Sequence, residues 1–368
     1  MKVLFVVGGL PFGGIENLLF DVSNELLKRG FQFKVVNLSG VGEKYREFLD
    51  AGIPVINIGS SKKDLKTYRL DIAYKLRKLI QSYKPDIVHS MQFSGDYFAR
   101  ISTLGLPKVK VLTHVHNIKR ERRFERRLIN RIFSLKTDVF LSVSKEVFKV
   151  VEKEHNIARK PHYILYNAIN TKKFEEEGNL ELKGGVRYIT CVGRLVEQKN
   201  FDVAIKAFSL IEKKYPDIQL LIVGEGKEKE RLQNLVKNLK LTEKVIFAGY
   251  RRDVPAILKS SYILLMPSSY EGFGIAHLEA MYAGLPAVIS PNVPSKEVAS
   301  ECSLIVPVDP REIANALDRL LTDESLYKEL SCKARKIAQE FTIERYVDKL
   351  LYLYECTLSG NYPDKVVL

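Results

Sequence analysis

The chain has 368 residues, of which 46% are hydrophobic and 28% are charged, as is ordinary for a globular enzyme of about two domains. No apolar run reaches 18 residues, which argues against a membrane-spanning helix. The four cysteines lack C-x-x-C spacing, so they predict reduced thiols in a cytosolic protein and neither a disulfide framework nor a zinc site.

The net charge of +14 is confined to the first half of the chain. Residues 1–170 contain 30 Lys and Arg against 16 Asp and Glu, whereas residues 171–368 contain 28 of each class. Such asymmetry of charge predicts an anionic partner that binds one surface of the protein only. Anionic lipid and nucleic acid both satisfy this condition.

Short apolar runs alternate with helical patterns along the first half. Lys2–Val7 predicts a strand, and the helix after it ends at Gly30. The further strands predicted in this half are FKVVNL, PVINI, DIVHS, VKVLTHVH and DVFLSVS. Residues 166–187 are polar and predict a linker, after which the alternation restarts. The strands predicted there are YITCVGR, QLLIVGEG, KVIFAGY, YILLMPS and PAVIS.

This alternation predicts an α/β protein with two Rossmann-like, doubly wound domains in tandem. We assign residues 1–168 to the first domain and residues 169–344 to the second. A C-terminal helix at 345–368 is expected to join the first domain. A ligand crevice is expected between the domains, at the carboxyl ends of the strands.

The loop GGLPFGGIENLL follows the first strand and opens a helix near Gly14. Glycines permit close approach to the backbone, and amide groups at a helix start bind anions. The glycine spacing differs from the G-x-G-x-x-G dinucleotide fingerprint. The loop therefore predicts a phosphate or sugar contact, with a long strand–helix turn as the plain alternative.

The stretch CVGRLVEQKN places Arg194 and Lys199 directly after a predicted strand. Strand ends of this kind face the expected crevice, where two cations are suited to hold a diphosphate. Solvated loop cations are the alternative interpretation.

The stretch SSYEGFGIAHLEAMYAG places Glu271 in a glycine-broken loop at the start of a predicted helix and Glu279 inside that helix. The Glu271 carboxylate can accept bonds from sugar hydroxyls, while the amides of Gly272, Phe273 and Gly274 donate to others. Glu279 is positioned to reach a ribose. The alternatives are a carboxylate that stabilises the helix dipole and an exposed helix face.

Metal and cofactor motifs are absent from the sequence. His114 and His116 share one face of a strand, but no third ligand accompanies them. There is no D-x-D pair, no G-x-S-x-G hydrolase motif and no P-loop. We therefore expect neither a metal nor a cofactor.

A basic stretch, KRERRFERRLINR, occupies residues 119–131 and contains a few apolar residues. A basic amphipathic helix can lie on anionic headgroups, although most charge runs are simply solvated. The cations expected to face a membrane are Arg120, Arg122, Arg123, Arg126 and Arg127.

Together these motifs resemble the retaining glycosyltransferases of the GT-B fold, family four, over nearly the whole chain. The matching segments are Gly13-Gly14-Ile15-Glu16, Thr113-His114-Val115-His116-Asn117, Val143-Ser144-Lys145, Tyr166-Asn167-Ala168-Ile169-Asn170, Gly193-Arg194 with Lys199-Asn200, and the E-x₇-E motif from Glu271 to Glu279.

The resemblance implies a role for each matched residue. Arg194 and Lys199 hold the donor diphosphate, Glu279 binds the ribose, and Glu271 contacts the transferred sugar. His116 lies beside that sugar. The implied catalytic residues are Arg194, Lys199, Glu271 and His116. The implied donor-binding residues are Gly14, Arg194, Lys199, Glu271, Gly272, Phe273, Gly274, Ile275 and Glu279.

The resemblance also implies metal-independent hexosyl transfer from a nucleotide diphosphate sugar, such as a UDP-sugar, to a lipid-linked or polysaccharide acceptor in cell-surface glycan synthesis. We expect a cytoplasmic enzyme that associates peripherally with the inner face of the membrane. The alternatives are a nucleotide-sugar epimerase or a glycosyl phosphorylase of the same architecture. A basic nucleic-acid-binding protein is a further alternative, but no recognition motif supports it.

Overall fold

The computed structural model of the protein describes residues 1–118, 124–155, 160–176, 178 and 182–368. These residues form two α/β units, of which the first comprises Met1–Ala168 with Ile343–Leu368 and the second Ile169–Thr342. Each unit contains one sheet in which all paired strands run parallel. This architecture confirms the predicted fold class of two Rossmann-like domains.

The sheet of the first unit has seven strands in the order β3-β2-β1-β4-β5-β6-β7. The strands are β1 (Lys2–Val7), β2 (Gln32–Asn37), β3 (Val55–Asn57), β4 (Ile87–Met91), β5 (Lys110–Val115), β6 (Val139–Ser142) and β7 (His162–Ile164). The α-helices between them are α1 (Gly14–Lys28), α2 (Tyr45–Asp50), α3 (Leu70–Tyr83), α4 (Gln92–Ser102), α5 (Phe124–Phe133) and α6 (Lys145–Glu154). The strand order reverses between β1 and β4, which is the switch point of this sheet.

Strand β1 shows why a buried parallel strand is a continuous apolar run. Val3 and Phe5 pack on the side that α1 covers, whereas Leu4 and Val6 pack on the side that α3 and α4 cover. Successive side chains of a strand point to opposite faces. Because helices cover both faces, every position of β1 after Lys2 must be apolar.

The sheet of the second unit has six strands in the order β10-β9-β8-β11-β12-β13. The strands are β8 (Arg187–Val192), β9 (Ile218–Val223), β10 (Val245–Gly249), β11 (Ile263–Met266), β12 (Ala287–Ile289) and β13 (Ser303–Ile305). The α-helices are α7 (Phe201–Ile211), α8 (Lys229–Asn238), α9 (Val254–Lys259), α10 (Ile275–Ala283), α11 (Lys296–Ala299), α12 (Pro310–Thr322) and α13 (Glu324–Ala338). The switch point of this sheet lies between β8 and β11.

A last helix, α14 (Ile343–Ser359), returns to the first unit and packs on α1. Its apolar side enters the core beside β1. The Arg29 guanidinium donates to the Asp348 carboxylate at 2.5 Å and to the Glu344 carbonyl at 3.2 Å. The first unit is therefore built from both ends of the chain.

The sequence interpretation overlooked two strands, β7 and β13. Each has only three residues and lies at an edge of its sheet. Three residues alone give too short a pattern to identify a strand, and the equally short β3 and β12 were predicted because they lie in the apolar runs PVINI and PAVIS.

Candidate functional site

The candidate diphosphate cations lie where β8 and β11 leave the second sheet. These strands pair directly, so the loops that follow them emerge side by side at the carboxyl-terminal edge. The first loop carries Arg194 and Lys199, and the second carries Glu271. In open parallel sheets this switch point is the usual location of a ligand.

Hydrogen bonds between side-chain and backbone groups of both loops hold the two loops together. The Gln198 amide donates to the Tyr270 carbonyl at 2.7 Å, and the Ser269 backbone N–H donates back to the Gln198 carbonyl at 2.8 Å. The Asn200 amide donates to the Pro267 carbonyl at 2.8 Å and to Ser269 Oγ at 2.7 Å. These bonds fix the two loops relative to each other.

Asn200 adopts a left-handed backbone conformation with φ of 50°. Asparagine tolerates this region better than most residues, and here it joins the loop to the start of α7. Sequence reasoning missed the roles of Asn200 and Gln198. The position of Asn200 directly before a helical pattern was the available signal.

Lys199 and Glu271 form a direct ion pair. Lys199 Nζ donates to Glu271 Oε1 at 2.6 Å, and the two side chains are only 15% and 12% exposed. The sequence interpretation gave these residues separate ligand contacts and did not anticipate their contact with each other. Any anion that binds Lys199 therefore does so beside the Glu271 carboxylate.

Arg194 differs from Lys199 in having an exposed side chain. Within the described part of the chain, no hydrogen bond or ion pair engages its guanidinium. The Arg194 guanidinium is therefore available to an anionic ligand at the switch point.

Two glycines allow the loops beneath these cations to pack closely. Gly193 has a φ of 150°, and a Cβ there would lie 2.9 Å from Lys199 Cε. A Cβ on Gly226 would lie 2.3 Å from the Leu195 carbonyl oxygen. Side chains at either position would displace the Lys199 side chain or the loop that carries it.

The glycine-rich segment after Glu271 is fixed by a neighbouring loop. Gly274, with a φ of 113°, precedes α10, and a Cβ there would lie 2.9 Å from Ser295 Oγ. The Ser295 N–H donates to the Phe273 carbonyl at 2.8 Å. This bond and the limited space at Gly274 constrain the backbone of the segment.

Glu271 lies in the glycine-broken loop that leads into α10, and Glu279 lies in the helix that follows, as predicted. Helix α10 begins at Ile275, four positions later, so Glu271 belongs to the loop. Glu279 lies inside α10 with a half-buried side chain. The sequence predicts an apolar face of Ile275, Leu278 and Ala283 for this helix. Leu278 is buried as predicted, whereas Ile275 and Ala283 are only half-buried, and the other buried residues are His277, Ala280 and Met281.

His277 connects α10 to the rest of the second unit. Its Nδ1 lies 2.8 Å from Ser295 Oγ, and its Nε2 lies 2.8 Å from Ser303 Oγ. Burial lowers the pKa of His277 to about 4, so the ring is neutral at pH 7. Sequence reasoning assigned no role to this positioning residue.

The glycine loop of the first unit lies at the equivalent switch point, between β1 and β4. Helix α1 begins at the exposed Gly14, as predicted. Gln92, the first residue of α4, follows β4 directly and has a φ of 68°. Its side chain accepts a bond from the Gly8 N–H at 3.1 Å and donates to the buried Glu16 carboxylate. Backbone strain at such a position is typical of a functional site.

His116 follows β5 at the carboxyl edge of the same sheet and is 8% exposed. Its Nε2 is buried, and no described residue bonds to that atom. Burial lowers the pKa of His116 to about 3, so the imidazole is neutral at pH 7. A buried imidazole nitrogen without a protein partner suits a ligand hydroxyl or phosphate oxygen.

A chain of rings supports His116 from within the domain. The His116 ring lies 4.0 Å from that of His114, and His114 Nδ1 lies 3.3 Å from His89 Nε2. His89 Nδ1 lies 2.5 Å from the Tyr354 hydroxyl on α14. Within the described ranges, no group of three or more His, Cys, Asp or Glu side chains could hold a metal ion.

The arginines expected to face a membrane are not all available to it. The Arg126 guanidinium lies 4.2 Å from the centre of the Phe93 ring, and Arg127 pairs with the buried Glu154 carboxylate. Both side chains therefore contact the domain itself. Arg120, Arg122 and Arg123 lie outside the described residues.

Two family models together match most of the chain. The model described as Glycosyltransferase Family 4 matches residues 12–173, and the model described as Glycosyl transferases group 1 matches residues 172–337. The second match contains Arg194, Lys199, Glu271 and Glu279.

The relatives carry glycosyltransferase names. An Escherichia coli protein named UDP-Gal:α-D-GlcNAc-diphosphoundecaprenol α-1,3-galactosyltransferase is 31% identical over 314 residues, which cover 79% of each chain. An uncharacterized glycosyltransferase of Haemophilus influenzae is 26% identical over 341 residues, or 92% of this chain and 95% of that one. The crystal structure of Anabaena HepE in complex with UDP has a TM-score of 0.82 at 17% identity, covering 96% of this chain and 100% of that one.

Proposed function

The chain belongs to the family-four glycosyltransferases of the GT-B fold, and on that premise we propose that it transfers a hexosyl unit from a UDP-sugar to a lipid-linked acceptor with retention of anomeric configuration. The observation that carries the proposal is the switch point of the second sheet. There Arg194 is exposed, and Lys199 lies 2.6 Å from Glu271.

The proposed chemistry follows from where charge develops. As the sugar–phosphate bond breaks, negative charge grows on the leaving diphosphate. Arg194 and Lys199 are assigned to that diphosphate, so their attraction strengthens in the transition state and lowers the barrier. Because two side-chain cations serve this charge, we propose that transfer is metal-independent.

Glu271 and Glu279 are assigned to the two ends of the donor. Glu271, with the backbone of Gly272, Phe273 and Gly274, is proposed to contact the transferred sugar. Glu279 is proposed to bind the ribose. On a front-face path, the leaving phosphate accepts the proton of the acceptor hydroxyl, so no enzyme nucleophile is required.

The residues of the first unit are assigned to the same reaction. Gly14 and the first amides of α1 are proposed to approach the diphosphate. His116 is proposed to contact a sugar hydroxyl through its Nε2. A neutral imidazole can donate or accept that bond, and the low pKa keeps it neutral over the physiological range.

The acceptor proposal is based on a relative. The Escherichia coli protein is named for transfer from UDP-Gal to a GlcNAc-diphosphoundecaprenol lipid. The excess positive charge of residues 1–170 supports an anionic diphosphate lipid as the acceptor class here. We propose a role in cell-surface glycan synthesis at the cytoplasmic face of the membrane.

The first experiment identifies the donor. UDP, UDP-glucose, UDP-galactose and their N-acetylated forms are tested for protection against thermal unfolding, because a bound ligand raises the transition temperature. We expect protection by UDP and by at least one UDP-sugar, and Arg194→Ala should reduce it. No protection by any uridine nucleotide would contradict the donor proposal.

The second experiment tests transfer. The protecting UDP-sugar is incubated with a diphospholipid-linked N-acetylglucosamine in the presence of EDTA, and the anomeric configuration of the product is read by NMR. A retained product formed in EDTA is expected. An isomerised UDP-sugar without acceptor would favour an epimerase, and a requirement for free phosphate would favour a phosphorylase.

A further inference from the structure

Helix α5 presents an apolar stripe to solvent. Phe124, Leu128 and Ile132 are 77%, 52% and 54% exposed. They are spaced four residues apart, and each residue turns the helix by about 100°, so all three lie on one side. Leu135, just after the helix, is 66% exposed.

The side of α5 that faces the domain carries both apolar and polar groups. Ile129 and Phe133 are half-buried and pack against the core that α5 shares with α4. Asn130 is buried and accepts a bond from the Arg100 guanidinium at 3.1 Å, and Arg126 lies over the Phe93 ring. An ordinary surface helix turns its apolar side inward and its polar side outward. Helix α5 is apolar on its outer side as well as on its inner side, and this exposed apolar surface marks the outer face as an interaction surface.

Helix α3 adds a second exposed group on the same side of the first sheet. Tyr68, Leu70 and Tyr74 are 71%, 61% and 58% exposed. Both α3 and α5 pack against α4 and share its core beneath the sheet. The outer faces of α3 and α5 therefore lie on the same side of the first sheet and are directed toward solvent.

Basic side chains surround the exposed apolar residues. The exposed lysines of this region are Lys62, Lys63, Lys66, Lys75 and Lys78. The Lys78 ammonium lies 4.6 Å from the centre of the Tyr74 ring, and Arg131 is exposed on α5. Among the described residues of these two segments, the exposed acids are Glu125 on α5 and Asp71, which pairs with Arg69.

We propose that this apolar face, formed by Phe124, Leu128 and Ile132 of α5 with Tyr68, Leu70 and Tyr74, inserts into the headgroup region of an anionic bilayer. Tyrosines with apolar neighbours are typical of the membrane interface, and the surrounding cations complement anionic lipid. A second copy of the chain would bring two basic faces together, which electrostatic repulsion opposes. The inference deepens the proposed function, because it names the surface that reaches a lipid-linked acceptor.

This mode differs from docking by arginines alone. Because Arg126 and Arg127 contact the domain, we assign the contact with the bilayer to the exposed apolar side chains. The exposed cations around them supply the attraction to anionic lipid. Within the described residues, none of the helices combines the length and apolarity needed to cross a bilayer. Insertion of side chains from the surface is the form of attachment that α5 supports.

The absence of tryptophan from the chain permits a direct test. Phe124→Trp introduces a single fluorophore in the apolar face, and Leu210→Trp places a matched one at a 58% exposed position of α7. With phosphatidylglycerol vesicles, the emission of the Phe124→Trp variant should shift to shorter wavelength and be quenched by brominated lipid. The Leu210→Trp control should show neither change.

The binding itself is measured by sedimentation with vesicles. Replacing Phe124, Leu128 and Ile132 together by Ser should lower binding to phosphatidylglycerol vesicles at least tenfold. A Leu210→Ser control should bind as the parent does. Part of the parent's binding should persist in 1 M salt, where the Debye length is ~3 Å and surface attraction is screened.

Three outcomes would overturn the insertion proposal. The triple Ser variant binds vesicles as the parent does, or parental binding vanishes wholly in 1 M salt, or the Phe124→Trp emission shifts without vesicles while sedimentation velocity shows a dimer. Protection by UDP should be unchanged in the triple Ser variant. Loss of vesicle binding with intact UDP protection therefore separates this proposal from the proposed transferase activity.

Discussion

The ion pair between Lys199 and Glu271 gives the most direct test of the candidate site. Lys199→Ala removes the cation from a carboxylate that is 2.6 Å away and only 12% exposed. A buried charge that loses its partner costs ~3–5 kcal/mol, and the remaining exposure of this pair reduces the expected loss to about 1–3 kcal/mol. We expect Lys199→Ala to lower the free energy of unfolding of the second unit by that amount.

The assay is urea unfolding followed by circular dichroism, arranged as a double-mutant cycle. Lys199→Ala, Glu271→Ala and the double variant are compared with the parent. Directly bonded residues show coupling of about 0.5–3 kcal/mol, so the double variant should lose less stability than the two single losses combined. Arg194→Ala is the matched control, because its exposed side chain should change stability by less than about 0.5 kcal/mol.

The same variants report on catalysis. Lys199→Ala and Arg194→Ala should each lower kcat/KM for sugar transfer by about 10²-fold or more, the size typical of losing one donor to a developing negative charge. Additive stability losses within about 0.3 kcal/mol would refute the ion-pair reasoning. Transfer at the parental rate by both cation variants would refute the diphosphate assignment.

Three further predictions follow from other parts of the two sheets. Glu279→Gln should weaken UDP binding with little change in kcat, whereas Glu271→Ala should mainly lower kcat. Calorimetric titration measures the UDP affinity of each variant, and steady-state kinetics measures its kcat. Equal losses of UDP affinity would contradict the separate roles of the two glutamates. Gln92→Ala and Gln92→Gly both lose the bonds to Gly8 and Glu16, but only glycine adopts a φ of 68° without strain. The urea midpoint of Gln92→Ala should therefore lie below that of Gln92→Gly, and the reverse order would contradict the strain argument. Burial lowers the pKa of His89 and His116 to about 3 and of His277 to about 4, so below about pH 6.5 the unfolded chain binds protons that the folded chain does not. Stability should therefore be full above pH 6.5 and fall toward pH 4, by ~1.4 kcal/mol per pH unit for each such histidine, and a flat urea midpoint between pH 7 and 5 would contradict their buried neutral state.

The sequence by itself determined the fold class and was enough to propose candidate site residues. Strands buried on both faces must be continuous apolar runs, so β1 and β8 stood out from the helical patterns around them. Glycines at a strand end and cations after it are local signals as well. Arg194, Lys199 and Glu271 could therefore be selected without coordinates.

Only the tertiary structure decided which of these residues contact each other. Lys199 and Glu271 are 72 positions apart and meet because β8 and β11 are neighbours across the switch point. The pairing of loops through Asn200 depends on the same strand order. Strand order is set by packing over the whole sheet, and no local pattern reports it.

The orientation of α5 is a further feature that the sequence alone does not determine. Its sequence contains arginines and apolar residues in a helical pattern, and the ordinary expectation turns the arginines outward. The structure turns Arg126 onto Phe93 and Arg127 onto Glu154, and it leaves Phe124 exposed. Helical periodicity gives the two faces of a helix, but the partners supplied by neighbouring elements decide which face is buried.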